Sequence, residues 1–348
     1  MRKLIARRVR QFRRFAALVS LVCGDSLPNV DALWRLSKDI DAIKLNLKFF
    51  GYELAHQLAA VLPVRTGLGA QQIALESKAS TQADLESDWV AYWAAQLQVP
   101  VIFHRKLWEL AYVLQALHQH GMIRAGMRGL GFGCGIEPIP SYLASHGANV
   151  TVTDLPPLDR QAKGWRQSNE NTGSLARSHH AHLVGWEEFE RRVKLEFVDM
   201  TAIPAHLVDY DFNWSICAFE HLGSIERGLD FVEACLETLR PGGVSVHTTE
   251  FNFMSDADTI DHGPSVYFQR KHFEALKQRL EARGHRLAPL NFDVGNKPLD
   301  RFIDLPPYEH DWSEQLPRGW GGDARHLKVT FDGIVCTCFG LVITKKPA

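Results

Sequence analysis

The sequence predicts an α/β domain with a mostly parallel sheet, helices on both faces, an antiparallel last strand and a helical region in front. Three observations predict it. From Met127 onward, short apolar or β-branched runs (MRGLGF, NVTVTD, VKLEFVD, DFNWSICA, GGVSVHTTE) alternate with segments of helical periodicity, the pattern of βα units. The end leaves that alternation with a strand-like GIVCTCFGLVITK suited to antiparallel pairing. The residues before 121 are helical in pattern almost throughout.

Taken in order, residues 31 to 62 place apolar side chains three and four apart and read as one or two amphipathic helices. LPVRTG breaks the pattern, and 65 to 87 reads as a polar loop or linker. ADLESDWVAYWAAQL and HRKLWELAYVLQALHQHG are two further helices, the second ending at Gly121. The division expected is 1–120, a helical cap over the site, and 121–348, the sheet domain, with a long polar insertion at about 295–328. Long loops in compact domains are often functional, and Asp300, Asp304, Tyr308, His310 and Asp311 lie in this one, as acceptor-pocket lining or as ordinary surface.

Apolar residues at 45%, charged residues at 23% and a formal net charge of -1 describe a globular protein with no bias toward nucleic acid. Six scattered cysteines suit buried thiols in a reducing, cytoplasmic setting, Cys336 and Cys338 included. The first fourteen residues carry Arg2, Lys3, Arg7, Arg8, Arg10, Arg13 and Arg14 with no acid. That start is either a basic helix touching an anionic membrane or a solvated, frayed terminus; the nine-residue FAALVSLVC after it is too short to span a bilayer.

RGLGFGCGIEP (128 to 138) joins a strand to a helix through closely spaced glycines. No Gly-Lys-Ser/Thr follows, which excludes a phosphate-loop NTPase. A dinucleotide enzyme would want G-x-G-x-x-G, whereas Gly131, Gly133 and Gly135 lead into Ile136, Glu137 and Pro138. Asp154 closes the next strand, where a carboxylate can accept both ribose hydroxyls, and Asp199 closes the third.

Together GFGCG, HGANVTVTD, VDM, SICAFEHL and LRPGGVSVHTTE resemble the class I S-adenosylmethionine (SAM)-dependent methyltransferases, over residues 127 to 285. The resemblance implies a Rossmann-like fold and SAM as methyl donor. Gly131, Gly133, Cys134 and Gly135 would then form the loop under the methionine moiety, Asp154 with Leu155 would meet the ribose, Asp199 with Met200 would flank the adenine, and Ala218 and Phe219 would line the methionine side. Two positions depart from the family: its loop acid is Gly131 here and its third glycine is Glu137. Glu137 either takes over the contact to the methionine ammonium or is a carboxylate favoured by a helix start.

Methyl transfer needs an aligned acceptor and, for a hydroxyl, a base. Glu220 and His221 follow the fourth strand, with His221 the candidate base; His247 and Glu250 end the fifth, where alternation sets His247 and Thr249 on one face and Glu250 on the other. Glu220-His221 resembles a pair that some relatives use for Mg²⁺ or Mn²⁺, and a metal stays open. His179, His180 and His182 more simply decorate a polar segment, and Trp89, Tyr92, Trp93 and Trp108 either roof the site or belong to the core. The expected function is O-methylation of a small or sugar-containing acceptor, a glycolipid included. A SAM-binding scaffold of a membrane-associated complex and a nicotinamide-dependent oxidoreductase are the alternatives.

Overall fold

The computed structural model describes residues 30–156, 172–306, 308 and 325–348, with 16, 23–24 and 27–28 besides. The basic run Arg2 to Arg14, His310 and Asp311 lie outside the described residues.

The sheet is built from β1 (Arg128–Phe132), β2 (Asn149–Asp154), β3 (Val193–Phe197), β4 (Tyr210–Ile216), β5 (Leu239–Asn252), β6 (Lys328–Phe331) and β7 (Ile334–Thr344). Its order is β3-β2-β1-β4-β5-β7-β6, with the two-residue strands Ile303–Asp304 outside β6 and Arg286–Leu287 beside β7. The strands from β3 to β5 pair in parallel. β7 runs antiparallel to both neighbours, as its sequence predicted. After β3 the chain crosses to the other side of β1, so the winding reverses between β1 and β4, where open sheets bind ligands.

The helices are α1 (Val30–Ala60), α2 (Asp88–Gln96), α3 (Arg105–Gln119), α4 (Ile139–Ser145), α5 (Trp186–Arg192), α6 (Ile225–Ala234) and α7 (Arg270–Ala282). Side-chain caps start three of them: Ser87 for α2, His104 for α3 and Ser224 for α6 each accept a first-turn backbone N–H. One face of the sheet meets a core containing Trp108, Leu114, Tyr142, Trp214 and Val246. The other meets Phe231, Leu236, Phe273, Leu280 and Phe339 from α6, the turn after it, α7 and β7.

The aromatic stripe of α2 and α3 is core. Trp108 stacks on Tyr112 with ring centroids 4.7 Å apart. The indoles of Trp93 and Trp108 donate to Gln115 and Asp84 at 2.7 and 2.9 Å, which satisfies their N–H groups inside the protein. Helix α3 packs against β5 and β7 rather than standing over the site as a separate cap; only its beginning reaches the cavity.

Segment 65–87, expected to be loop, contains the strand pair Ser77–Lys78 with Leu290–Asn291 and a helical turn, Gln82–Leu85. Elements of two and four residues are too short to show a period. In the 295–328 insertion Asp304 is fully buried. It accepts hydrogen bonds from Lys48 Nζ and Tyr52 Oη at 2.7 Å and pairs with His326 Nδ1 at 2.7 Å, tying α1 to the sheet edge. Asp300 caps its own turn and accepts the Gln82 N–H at 2.7 Å, and the Tyr308 hydroxyl donates to Thr330 O at 2.8 Å. These three are structural and none lines the cavity. No helix among the described residues is long and apolar enough to cross a membrane.

Candidate active site

A cavity of about 560 Å³ opens at the carboxyl ends of β1 to β5, on the switch point. The β1–α4 loop forms its first wall. Gly133 and Gly135 take φ of 59° and 53°, conformations that L side chains rarely adopt. The turn is held from beneath, where Thr153 Oγ1 donates to Gly131 O at 2.8 Å and Cys134 N to Thr153 O at 3.0 Å.

Gly131 itself does not line the cavity. A Cβ there would lie 2.2 Å from Cys134 Sγ and 2.5 Å from the Trp214 ring. That indole of β4 fills the place of the missing acid, and its Nε1 donates to Glu137 Oε1 at 2.5 Å. Glu137 lines the cavity, as does Lys106 from the first turn of α3. Burial pushes the Glu137 pKa up to about 8, against the lowering pull of its bond to Trp214 and of Lys106.

Asp154 lines the next wall, at the tip of β2. Its two oxygens accept the backbone N–H groups of Leu155 and Thr172 at 2.8 Å each. A carboxylate has about four acceptor positions, so two remain for a diol. Leu155, Asp199 and Met200 follow along the same rim. Asp199 is turned toward its own loop, accepting Thr201 N and Oγ1 at 2.8 and 2.7 Å.

β4 ends in Cys217, a non-glycine residue at φ 44°, a strained conformation of the kind that collects at functional sites. Ala218 faces the cavity beyond it. Phe219 does not: its ring is fully buried against Phe231 and Phe268, at centroid distances of 6.3 and 5.0 Å. It belongs to the core on the α6 side, a correction to its expected place beside methionine.

Charges that the sequence reading missed lie at the cavity wall and, behind Cys217, beneath it. Glu109 of α3 accepts the thiols of Cys338 and Cys217 at 2.9 and 3.0 Å and Thr248 Oγ1 at 3.0 Å. Burial raises its pKa, and Lys106 and Arg105 outweigh that and hold it below the usual range. Arg105 bonds Glu250 and lies over the Phe331 ring, 5.3 Å from its centroid. Glu220 accepts Thr249 Oγ1 at 2.9 Å. A basic pair opening an otherwise apolar helix was the one sequence signal for Arg105 and Lys106.

His221 lines the cavity with its Nδ1 3.1 Å from both Pro264 O and Ser265 Oγ. His247 is buried on the opposite face from Glu250, between Ser215 Oγ at 2.8 Å and Ser245 Oγ at 2.6 Å. Burial drives its pKa down to about 3, so it is a neutral core group. His179 and His180 set ring nitrogens 2.8 Å from the carbonyls of Val184 and Ile136.

Among the described residues, two groups have ligand atoms close enough for one metal ion: Glu109, Cys217 and Cys338, and Cys217, Glu220 and Glu250. Each contains a protonated thiol held by a bond to its neighbour and by burial. Mg²⁺ and Mn²⁺ prefer oxygen donors, and His221 joins neither group. These residues do not fit the expected cation.

The strand order, the reversed β7 and a ligand-sized cavity at the switch point agree with one another. The chain has a Rossmann-like α/β fold with a reversed last strand, the fold that the sequence resemblance implies. Among solved structures it is similar to the cyclase SpnF, at 13% identity and TM-score 0.41, covering 79% of this chain and 98% of that one. It is also similar to the methyltransferase domain of a bacterial CtHen1, at 16% identity and TM-score 0.39, covering 69% and 100%. A TehB-like SAM-dependent methyltransferase of Corynebacterium glutamicum matches at 17% identity and TM-score 0.34, covering 66% and 86%. No protein-family model and no curated protein matches the sequence. A fold does not fix its chemistry, so activity is argued from the cavity.

Proposed function

We propose that this protein is a SAM-dependent methyltransferase acting on a small molecule. The observation that carries the reading is the pairing of Asp154 at one wall of the cavity with Glu137 and Lys106 at another. An amino acid needs an anion for its ammonium and a cation for its carboxylate, and Glu137 and Lys106 supply one of each. Asp154 offers the ribose an acceptor. Gly133 and Gly135 let backbone approach the ligand where a Cβ at Gly133 would already meet Ala218 at 3.0 Å.

Bound SAM supplies an electrophilic methyl group on a sulfonium. The protein then has to align an acceptor in line with it, exclude water and take up a proton. The cavity is of a size for one nucleoside and a small acceptor, which favours small molecules over polymers. The expectation of a hydroxyl acceptor drew on His221, Glu220 and Glu250, with His221 as base or a metal at Glu220-His221 to acidify the hydroxyl. Glu220 and Glu250 line the cavity beside His221, and these two acids guide the choice of acceptor below.

Calorimetric titration with S-adenosylhomocysteine tests this, beside NAD and the Asp154→Ala variant. Micromolar binding that the variant loses is expected. Binding of NAD instead, or of neither ligand by folded protein, would overturn it in favour of an oxidoreductase or a non-catalytic scaffold.

A further inference from the structure

Glu220 and Glu250 both line the cavity and are 1% and 5% exposed. One oxygen of each has no hydrogen-bond partner among the described residues: Glu220 Oε1 and Glu250 Oε2. A carboxylate oxygen of each lies within 4.8 Å of the other and of Cys217 Sγ. A buried acceptor without a donor costs about 1–3 kcal/mol, more when charged. Two side by side are an arrangement that a ligand with several N–H donors relieves. Arg105 occupies only one oxygen of Glu250. Tyr267 and Phe331 line the same part of the cavity, with ring centroids 6.4 Å apart.

We propose that the acceptor is a primary or secondary amine, held as its ammonium between Glu220 and Glu250 with its carbon body against Tyr267 and Phe331. This rests on the methyltransferase reading and gives that site its substrate class. An ammonium provides two or three N–H donors, whereas an alcohol provides one and could satisfy only one of the two oxygens. The positive charge also offsets the mutual repulsion of the acids. A metal ion is the competing occupant, and the protonated Cys217 thiol and the neighbouring Arg105 guanidinium disfavour it.

The chemistry balances. Glu220 accepts one proton from the ammonium, leaving a neutral amine with a lone pair. Burial, partly offset by His221, raises the pKa of Glu220 above the usual carboxylate range, which suits it to this transfer. The lone pair forms the new N–C bond to the methyl group as the C–S bond breaks. The bonding electrons go to sulfur, yielding S-adenosylhomocysteine and an N-methylammonium. The proton on Glu220 returns to water when the product leaves.

The test is thermal shift and calorimetry in the presence of S-adenosylhomocysteine, with benzylamine and cyclohexylamine beside benzyl alcohol and cyclohexanol. The amines are expected to bind at least about tenfold tighter than the alcohols, as charge-assisted bonds exceed neutral ones. Glu220→Gln should abolish that preference while keeping S-adenosylhomocysteine affinity, which also shows the variant to be folded. Glu250→Gln should weaken it. Alcohols binding as tightly as amines, no binding by either amine, or amine binding unchanged in both variants would overturn the proposal. So would Zn²⁺ that stabilises the wild type, displaces the amine and no longer binds Cys217→Ser. If the amines bind without any affinity for S-adenosylhomocysteine, the methyl-transfer reading fails while the amine site stands.

Discussion

Glu137 and Trp214 are joined by a 2.5 Å hydrogen bond from the indole Nε1 to carboxylate Oε1, and the same indole fills the space that a side chain at Gly131 would need. On the function proposed above, Glu137, two residues before α4, does the work of the acid that the resemblance places at the end of the first strand. Because burial pushes the Glu137 pKa up to about 8, its carboxyl group must release a proton to solvent before it can pair with an arriving ammonium. Only the carboxylate attracts the ligand, so S-adenosylhomocysteine should bind more tightly as pH rises from 6 to 8. Glu137→Gln should weaken binding by roughly tenfold or more at pH 8 and flatten the dependence. Titrations at several pH values check both.

Restoring the family's acid should fail. Gly131→Asp places a Cβ within 2.5 Å of Cys134 and Trp214. Overpacking of this kind costs typically about 1–3 kcal/mol, to which an additional buried carboxylate adds. A thermal melt should show a clearly lowered Tm; an unchanged Tm would mean that the indole moves aside freely.

Asp304 is the anchor of α1. Removing it leaves Lys48 and His326 buried without their shared carboxylate, which for broken buried pairs costs about 3–5 kcal/mol. Urea unfolding of Asp304→Ala should show that loss. Burial opposes ionisation of Asp304, yet His326 and Lys48 prevail and hold its pKa below the usual value. A depressed carboxylate stabilises above the unfolded pKa, so this contribution is present at neutral pH and fades as pH falls through the acid range.

His247 should stay neutral. Its folded pKa of about 3 lies below an ordinary imidazole, so its stabilisation is complete above about 6.5 and declines as pH falls from there toward 3. In an NMR titration from pH 8 to 5 its ring signals should not move.

Much of the fold was legible because each βα unit is local: an apolar run, a glycine or proline break, an amphipathic helix. GFGCG and Asp154 were legible for the same reason, lying at the junctions of such units. The cluster behind Cys217 was not. Cys217 and Cys338 are 121 positions apart with their sulfurs 4.0 Å from each other, and Glu109 meets both from a helix read only as aromatic. Strand alternation correctly separated His247 from Glu250, since it tells which residues share a face. It does not tell which face is covered, and so Phe219 and His247 were candidates until α6 was seen packed over them. Asp300 and Asp304 of the insertion were misplaced for a related reason: polarity alone does not separate a pocket from the buried Asp304 network that holds α1.

The most direct measurement is a crystal structure with S-adenosylhomocysteine bound. The account expects its ribose hydroxyls on Asp154, its α-ammonium within hydrogen-bond distance of Glu137 and its sulfur directed toward the space beside Glu220 and Glu250. Ligand bound elsewhere, or bound here with Glu137 still engaged by Trp214 alone and Asp154 untouched, would contradict it.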